Sequence, residues 1–434
     1  MEADPLNKVC VLNVVGLTPA LLELAPRLAA LGSPVPWNCP LPAVTCTAQA
    51  TLLTGTLPRE HGIVGNGWYE RITGEVRFWQ QSNHLIHGSK LYDGVETAKL
   101  FWWFNQGASA RWSVTPKPHY GCDGSKEFGI IDRTGCDLER RLGAFPFFTF
   151  WGPNAGWPCS QWIARAAVET LKQKSPTLTL VYLPHLDYDG QRCRTVAPER
   201  VAEVDQCAGW IIDQAQELGI QVVVVSEYGL VPVHRPIFIN RYLREAGLLE
   251  VRDGPYGEML QPLESSAFAV VDHQVAHVYV ARTEHRSDVR RRLLELPGVA
   301  DVVPPGALGL DHPRSGDWIA LAEPDAWFAY YYWLDDRRAP DFARTVDIHR
   351  KPGYDPCELF MTSKLRAGAR LLQKKLGFRY RMDVIPLDAT LVRGSHGLQP
   401  APESGPLIIG PNAPERMTDF KDYILELVHR KRSE

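Results

Sequence analysis

The chain has 434 residues, 45% of them hydrophobic and 22% charged, enough for one very large domain or two. Its formal net charge of −3 and pI near 6.5 give no electrostatic reason to expect nucleic acid or a membrane surface as partner, so any basic site has to be local. Nine scattered cysteines without a CxxC pair fit reduced thiols and argue against a disulfide framework or a structural zinc ribbon.

The opening MEADPLNKVC has no charged region leading into an apolar core and a cleavage site, and its apolar stretch is too short to span a bilayer. A soluble, cytoplasmic protein is expected. Lys8–Val15 is a nearly continuous apolar run that ends in Gly16, as in a strand buried on both faces. Thr18–Leu31 follows with helical spacing and a Thr-Pro start. The stretch 68–160 is rich in Gly, Pro and Trp and predicts an excursion over the site, its aromatics serving as core packing, as an apolar pocket, or as both. Leu178–Leu183 and Gln221–Ser226 predict two further buried strands, with an amphipathic helix over Pro198–Leu218 between them.

Strand–helix–strand units of this kind predict an α/β fold with a doubly wound, mostly parallel sheet, whose ligand sites lie at the C-terminal strand ends. Three strands lead into suggestive loops: Val15-Gly16, Pro184–Arg192 and Glu227-Tyr228-Gly229. From about 233 to 344 the pattern changes to short alternating strands such as Ala276–Ala281 and a helix at Ser287–Leu296. This predicts a smaller inserted α/β lobe (233–344) within a discontinuous core of 5–232 and 345–426. The last 30 or so residues read as peripheral, ending in a basic HRKRSE tail.

The most informative segment is Pro42–Asn66, PAVTCTAQATLLTGTLPREHGIVGN. Taken alone, Thr45 is a helix cap and Asn66 a turn residue. Together, Thr54-Gly55, Pro58, His61-Gly62-Ile63 and Asn66 resemble the signature that follows the nucleophile in the type I phosphodiesterase/nucleotide pyrophosphatase branch of the alkaline-phosphatase superfamily, phosphonoacetate hydrolases included. The resemblance puts Thr45 at the nucleophile's position and Asn66 where a side-chain amide meets a phosphoryl oxygen. It assigns His61 mainly to holding the loop after the helix.

The resemblance also implies two divalent ions, usually zinc, on Asp and His ligands at the strand ends. Here the match breaks. Val15 stands where the first Asp belongs, with Asn13 two residues earlier on the same side of the strand. The second group keeps Asp187 but replaces its His by Gln191, with His185 and Asp189 alongside. In the third, Glu227 and Tyr228 stand for Asp and His, Tyr228 being better suited to hydrogen-bond a phosphoryl or hydroxyl oxygen. His396, in Gly394-Ser395-His396-Gly397, matches the last ligand. One ion rather than two is expected, on Asp187 and His396 with Glu227 and Gln191 as further donors. It would be zinc by family, or magnesium or manganese given the oxygen-rich donors.

Two other clusters stand out. Asp272, His273 and His277 have metal-like spacing, but lobe hydrogen bonding accounts for them equally well. His349, Arg350 and Lys351 bring imidazole and basic groups together, where Arg and Lys suit phosphate oxygens. The function expected is metal-assisted hydrolysis of a phosphate ester, phosphodiester, pyrophosphate or phosphonate, on a small phosphorylated substrate with a bulky apolar group. The alternative is a ligand-binding pseudoenzyme that keeps the fold without the two-zinc chemistry. Cys46, beside Thr45, is a buried small residue or a thiol nucleophile.

Overall fold

The computed structural model describes residues 6–122 and 126–430; the last four residues of the basic tail lie outside the described residues. The strands that matter here are, in chain order, β1 (Val9–Val14), β2 (Val35–Pro36), β3 (Thr97–Leu100), β4 (Trp112–Tyr120), β5 (Lys126–Asp132), β6 (Leu178–Leu183) and β7 (Gln221–Val225). They continue as β8 (Ala267–Asp272), β9 (Val275–Val280), β10 (Val299–Val303), β11 (Trp318–Ala322) and β12 (Leu407–Ile409). The helices are α1 (Thr45–Thr54), α2 (Trp157–Lys174), α3 (His185–Arg192), α4 (Pro198–Glu217), α5 (Lys364–Lys375) and α6 (Phe420–His429).

The central sheet runs β2-β12-β7-β1-β6-β3-β4-β5. Its five middle strands, β7, β1, β6, β3 and β4, are mutually parallel, and antiparallel partners flank them on both sides. All six residues of β1 and all six of β6 are buried, because helices such as α2 and α4 cover the sheet's faces. This is the doubly wound, mostly parallel α/β architecture that the apolar runs predict.

The inserted lobe is a four-stranded antiparallel sheet, β8-β9-β11-β10, with its own apolar core that includes Phe268, Val278 and Tyr330–Trp333. The helix expected at Ser287–Leu296 lies at Arg286–Leu294.

Three expectations need correction. Thr18–Leu31 is two short helices, Pro19–Leu22 and Pro26–Ala29, because Pro26 cannot continue the first. The predicted Thr-Pro start does hold: Thr18 caps the first helix by accepting from Leu21 N at 3.3 Å. The 68–160 stretch is less an excursion than a supplier of sheet, since β3, β4 and β5 come from it. The chain's last part is not peripheral either. β12 pairs with β7, and α6 buries Phe420, Ile424 and Val428 against the main core.

His277 is a lobe residue with a fixed tautomer. Its Nε2 lies 2.9 Å from the Val64 carbonyl, and its Nδ1 accepts from Gly316 N at 3.1 Å. A neutral ring satisfies both contacts, and a second ring proton would meet the Gly316 N–H head on. Burial accordingly lowers its pKa from 6.5 to about 4. Above 6.5 both folded and unfolded chains hold a neutral ring. Below it only the unfolded chain takes up the proton, so stability is lost as pH falls from 6.5 towards 4, by up to about 3 kcal/mol. His277→Gln keeps one donor and one acceptor without the titration. Urea unfolding of the variant between pH 7 and 4.5 is expected to show a correspondingly shallower acid loss than the native chain.

Candidate active site

The carboxyl ends of β1, β6 and β7 converge on the N-terminus of α1. All ten residues of α1 are buried, which its small Thr, Ala and Cys side chains permit, and it ends in Gly55 at φ +72°, a left-handed cap. Val44, not Thr45, is the N-cap, so Thr45 is the first helical residue. Its hydroxyl lies where the unpaired N–H groups and the positive end of the helix favour a negative charge.

Thr45 Oγ1 meets the Tyr228 hydroxyl at 3.0 Å. Tyr228 in turn reaches Asp187 Oδ1 at 3.4 Å. Its ring stacks on that of His396, with centroids 3.6 Å apart and planes 7° from parallel. The loop holding Tyr228 passes so close to its neighbour that a Cβ on Gly229 would lie 1.7 Å from the Ser404 carbonyl oxygen, which explains the Tyr-Gly pair. Tyr182, at the end of β6, adds a second phenol beside Thr45.

The expected loop Pro184–Arg192 is α3, a correction with consequences. Asp187 and Gln191 become i, i+4 neighbours on one face, and Gln191 Nε2 donates to Asp187 Oδ2 at 2.7 Å. Gln191 Oε1 accepts from the Tyr354 hydroxyl at 2.8 Å. Asp189 instead pairs with Arg192 and Arg200, and both nitrogens of buried His185 are without a partner.

Glu227 ends β7. Its Oε1 accepts from Asn13 Nδ2 at 2.5 Å and from Gln49 Nε2 at 2.7 Å, and its Oε2 has no partner. Asn13, from β1, therefore does reach the site, through Glu227. Gln49 stands one helical turn after Thr45 and also accepts from Trp103 N at 2.8 Å. The i, i+4 spacing of Thr45 and Gln49 was the signal in the sequence for this residue, and it was missed.

Asn66 is held at three points. Its Oδ1 accepts from Cys46 N at 2.9 Å, its Nδ2 donates to Asp272 Oδ1 at 3.0 Å, and its own N–H donates to Asp272 Oδ2 at 2.7 Å. One amide hydrogen is left for a ligand. His61 holds the loop after α1, bonded to Thr51 Oγ1 at 3.1 Å and accepting from Ile63 N at 3.1 Å. The Cys46 thiol is pushed far up by burial, which removes it as a thiolate nucleophile.

Burial also pushes Asp187 and Asp272 up to about 7 and Glu227 up to about 8. His396 is depressed to about 3, again by burial. Its Nδ1 donates to the Ala43 carbonyl at 2.7 Å, so Nε2 is a bare acceptor, 3.6 Å from Asp187 Oδ1. Two acceptors that close need a proton or a cation between them. Those two side chains fit one ion; the wider two-ion set does not fit. Val15 offers no donor, Tyr228 covers one face of His396, Gln191 turns its amide hydrogens to Asp187, and no group of three or more His, Cys, Asp or Glu gathers as a metal centre among the described residues.

The three basic-run residues do not join the Thr45 cluster. His349 Nδ1 is 3.2 Å from the Phe78 carbonyl, Arg350 pairs with Asp347 at 2.7 Å, and the Lys351 amine is clamped by Asp355 at 2.6 Å and Glu358 at 2.7 Å. Tyr354, in the same run, is the residue that reaches the site. The Asp272/His273/His277 group also separates: Asp272 binds Asn66, His277 stays in the lobe, and His273 packs between Tyr354 and His396 with centroids 3.8 and 3.5 Å away. Around them stands an aromatic wall. Trp79 lies 4.8 Å from Trp103 and 6.0 Å from Tyr354, and Trp151 lies 6.0 Å from Tyr354. Trp79, Phe101, Phe104 and His273 all have φ near +60°, a left-handed backbone that bulky residues seldom adopt.

The large, mostly parallel sheet flanked by helices, with extra small sheets, matches the alkaline-phosphatase-like fold of solved structures. The type I phosphodiesterase/nucleotide pyrophosphatase family model matches residues 9–355, and the chain belongs to that family. Among solved structures, phosphonoacetate hydrolase from Sinorhizobium meliloti 1021 in complex with phosphonoacetate is similar at 18% identity and TM-score 0.63, over 98% of this chain and 96% of that one. Murine ectonucleotide pyrophosphatase/phosphodiesterase 5 is similar at 15% identity and TM-score 0.57, over 99% and 96%. An uncharacterized pyrophosphatase/phosphodiesterase of Schizosaccharomyces pombe (strain 972 / ATCC 24843) is 24% identical over 236 residues, half of this chain and 41% of that protein.

Proposed function

We propose that this protein hydrolyses a small phosphorylated substrate, with Thr45 as the nucleophile. The observation that carries this is the hydroxyl chain Thr45–Tyr228–Asp187 at the start of α1. Thr45 Oγ1 attacks phosphorus, and its proton passes to the Tyr228 oxygen as Tyr228 hands its own to Asp187. The bond from phosphorus to the ester oxygen breaks, and that oxygen leaves as an alcohol with a proton from water. A second water then attacks phosphorus, and Thr45 Oγ1 leaves with the proton returned from Asp187 through Tyr228. The N-terminus of α1 and the spare amide hydrogen of Asn66 bind the charge that develops on the phosphoryl oxygens. Trp79, Trp151 and Tyr354 suit an apolar portion of the substrate.

A divalent ion, when bound, would supply Lewis-acid polarisation at the Asp187–His396 pair. Elemental analysis of the purified chain is expected to find at most one divalent ion per chain, and two would overturn this donor count. The activity itself is tested by release of p-nitrophenol from aryl phosphate mono- and diesters with zinc, magnesium or manganese added. No turnover under any of these conditions, with the chain folded, would favour the second reading, a ligand-binding pseudoenzyme. That reading draws on Val15, Gln191 and Tyr228, which stand where metal-binding side chains are expected.

A further inference from the structure

We propose that α5 docks the protein on an anionic phospholipid surface. None of its residues is buried, and Leu365, Leu372 and Leu376 are 88%, 57% and 63% exposed. With Ala369 they fall at i, i+4, i+7 and i+11, which lines them along one face. Phe378, just past the helix end, is 64% exposed and continues the apolar patch. The opposite side is fixed to the protein. Arg370 binds Asp383 at 2.8 Å, Arg366 binds the same carboxylate, and Ala367 packs on the lobe core. The segment 363–383 that carries α5 is closed at its base by Thr362 N donating to the Val384 carbonyl at 2.8 Å. The apolar stripe is therefore held outward by a rigid base.

Charge selects the occupant. Residues 364–382 contain seven Lys and Arg and no Asp or Glu, in a chain whose net charge is −3. Arg366, Arg370 and Arg381 have carboxylate partners, whereas Lys364, Lys374, Lys375 and Arg379 have none among the described residues. A helix with Leu and Phe on one face and unpaired Lys and Arg beside it inserts that face at the headgroup boundary while its cations meet anionic lipid. A second copy of the chain meeting this face with its own would bring four unpaired cations against four. One short helix also offers far less than the roughly 800 Å² per partner of a stable dimer. No helix among the described residues is long and apolar enough to cross a membrane, so this contact is peripheral.

The test is co-sedimentation of the full chain with vesicles of phosphatidylcholine alone or mixed with phosphatidylserine. Binding is expected only to the mixed vesicles and is weakened by salt. It should fall about tenfold or more in Leu372→Ser/Leu376→Ser and in Lys374→Glu/Lys375→Glu, with the thermal midpoint of each variant unchanged. The substituted residues are exposed, so folding should be unaffected, and the midpoint checks this. Failure of the intact chain to bind mixed vesicles, or variants that bind like it, would overturn the proposal. So would a dimer seen by light scattering that the Leu pair abolishes, which would give the stripe to a second copy.

Discussion

Thr45→Ala is expected to lower kcat/KM on any ester the chain turns over by roughly a thousandfold or more, because no other group near the start of α1 can take over the attack. Cys46 is adjacent, but its thiol is held protonated by burial. Tyr228 and Tyr182 are buried phenols with pKa values raised far above normal, again by burial. Neither supplies an anionic nucleophile near neutral pH. Thr45→Ser keeps the hydroxyl and is expected to retain activity within about tenfold. The alanine variant should stay folded, since it gives up one hydrogen bond, to Tyr228, worth about 1 kcal/mol. Loss of turnover with a nearly unchanged unfolding midpoint is the expected pair of results. Equal turnover in Thr45→Ala and the native chain would remove Thr45 from the mechanism.

The largest stability effect is expected at Lys351. Its amine is 1% exposed and lies between the Asp355 and Glu358 carboxylates, which are themselves buried. Burial alone would depress the amine, but the two acids outweigh that and raise it. Glu358 also accepts from Trp151 Nε1 at 2.6 Å and from Asp347 N at 2.8 Å. Lys351→Met keeps the volume and removes the charge, leaving two buried carboxylates without their cation. A loss of about 3–5 kcal/mol is expected, measured by urea unfolding at pH 8. The loss should shrink as pH falls towards 5, because the Glu358 carboxyl, which burial already raises, then takes up a proton in the folded variant. A loss below about 1 kcal/mol at pH 8 would mean that the clamp contributes little. Since Tyr354 lies between Lys351 and Asp355 and bonds Gln191, the variant is also expected to loosen the site.

The sheet was legible because it is buried on both faces. Such strands are written as uninterrupted apolar runs, and β1, β6 and β7 follow those runs closely. Helix continuity was less legible. Pro26 split one predicted helix, and α3 hid behind a Pro-led, acidic stretch that reads as a loop. The frame around Thr45 carried the family, but frames name positions and not partners. The partners that matter here come from distant strands. Asp272 meets Asn66 across 206 residues, Tyr228 meets Thr45 across 183, and Tyr354 meets Gln191 across 163. No local periodicity encodes such pairs. The basic run misled for a related reason: Lys351 has the composition of a phosphate ligand, but two nearby acids had already claimed it.

The hold of Asp272 on Asn66 also bears on how the protein is made. Asn66 is synthesised 206 residues before Asp272, yet both its main chain and its side chain are fixed by that carboxylate on the first strand of the lobe sheet. β12, which joins the edge strand β2 to β7 in the central sheet, emerges only after the lobe. A ribosome-bound chain halted just before residue 272 would carry Thr45 and all five parallel strands with the Asn66 loop untethered. An assembled site should therefore appear only once the lobe has been made, and a version trimmed of the lobe should leave the Asn66 loop unfixed.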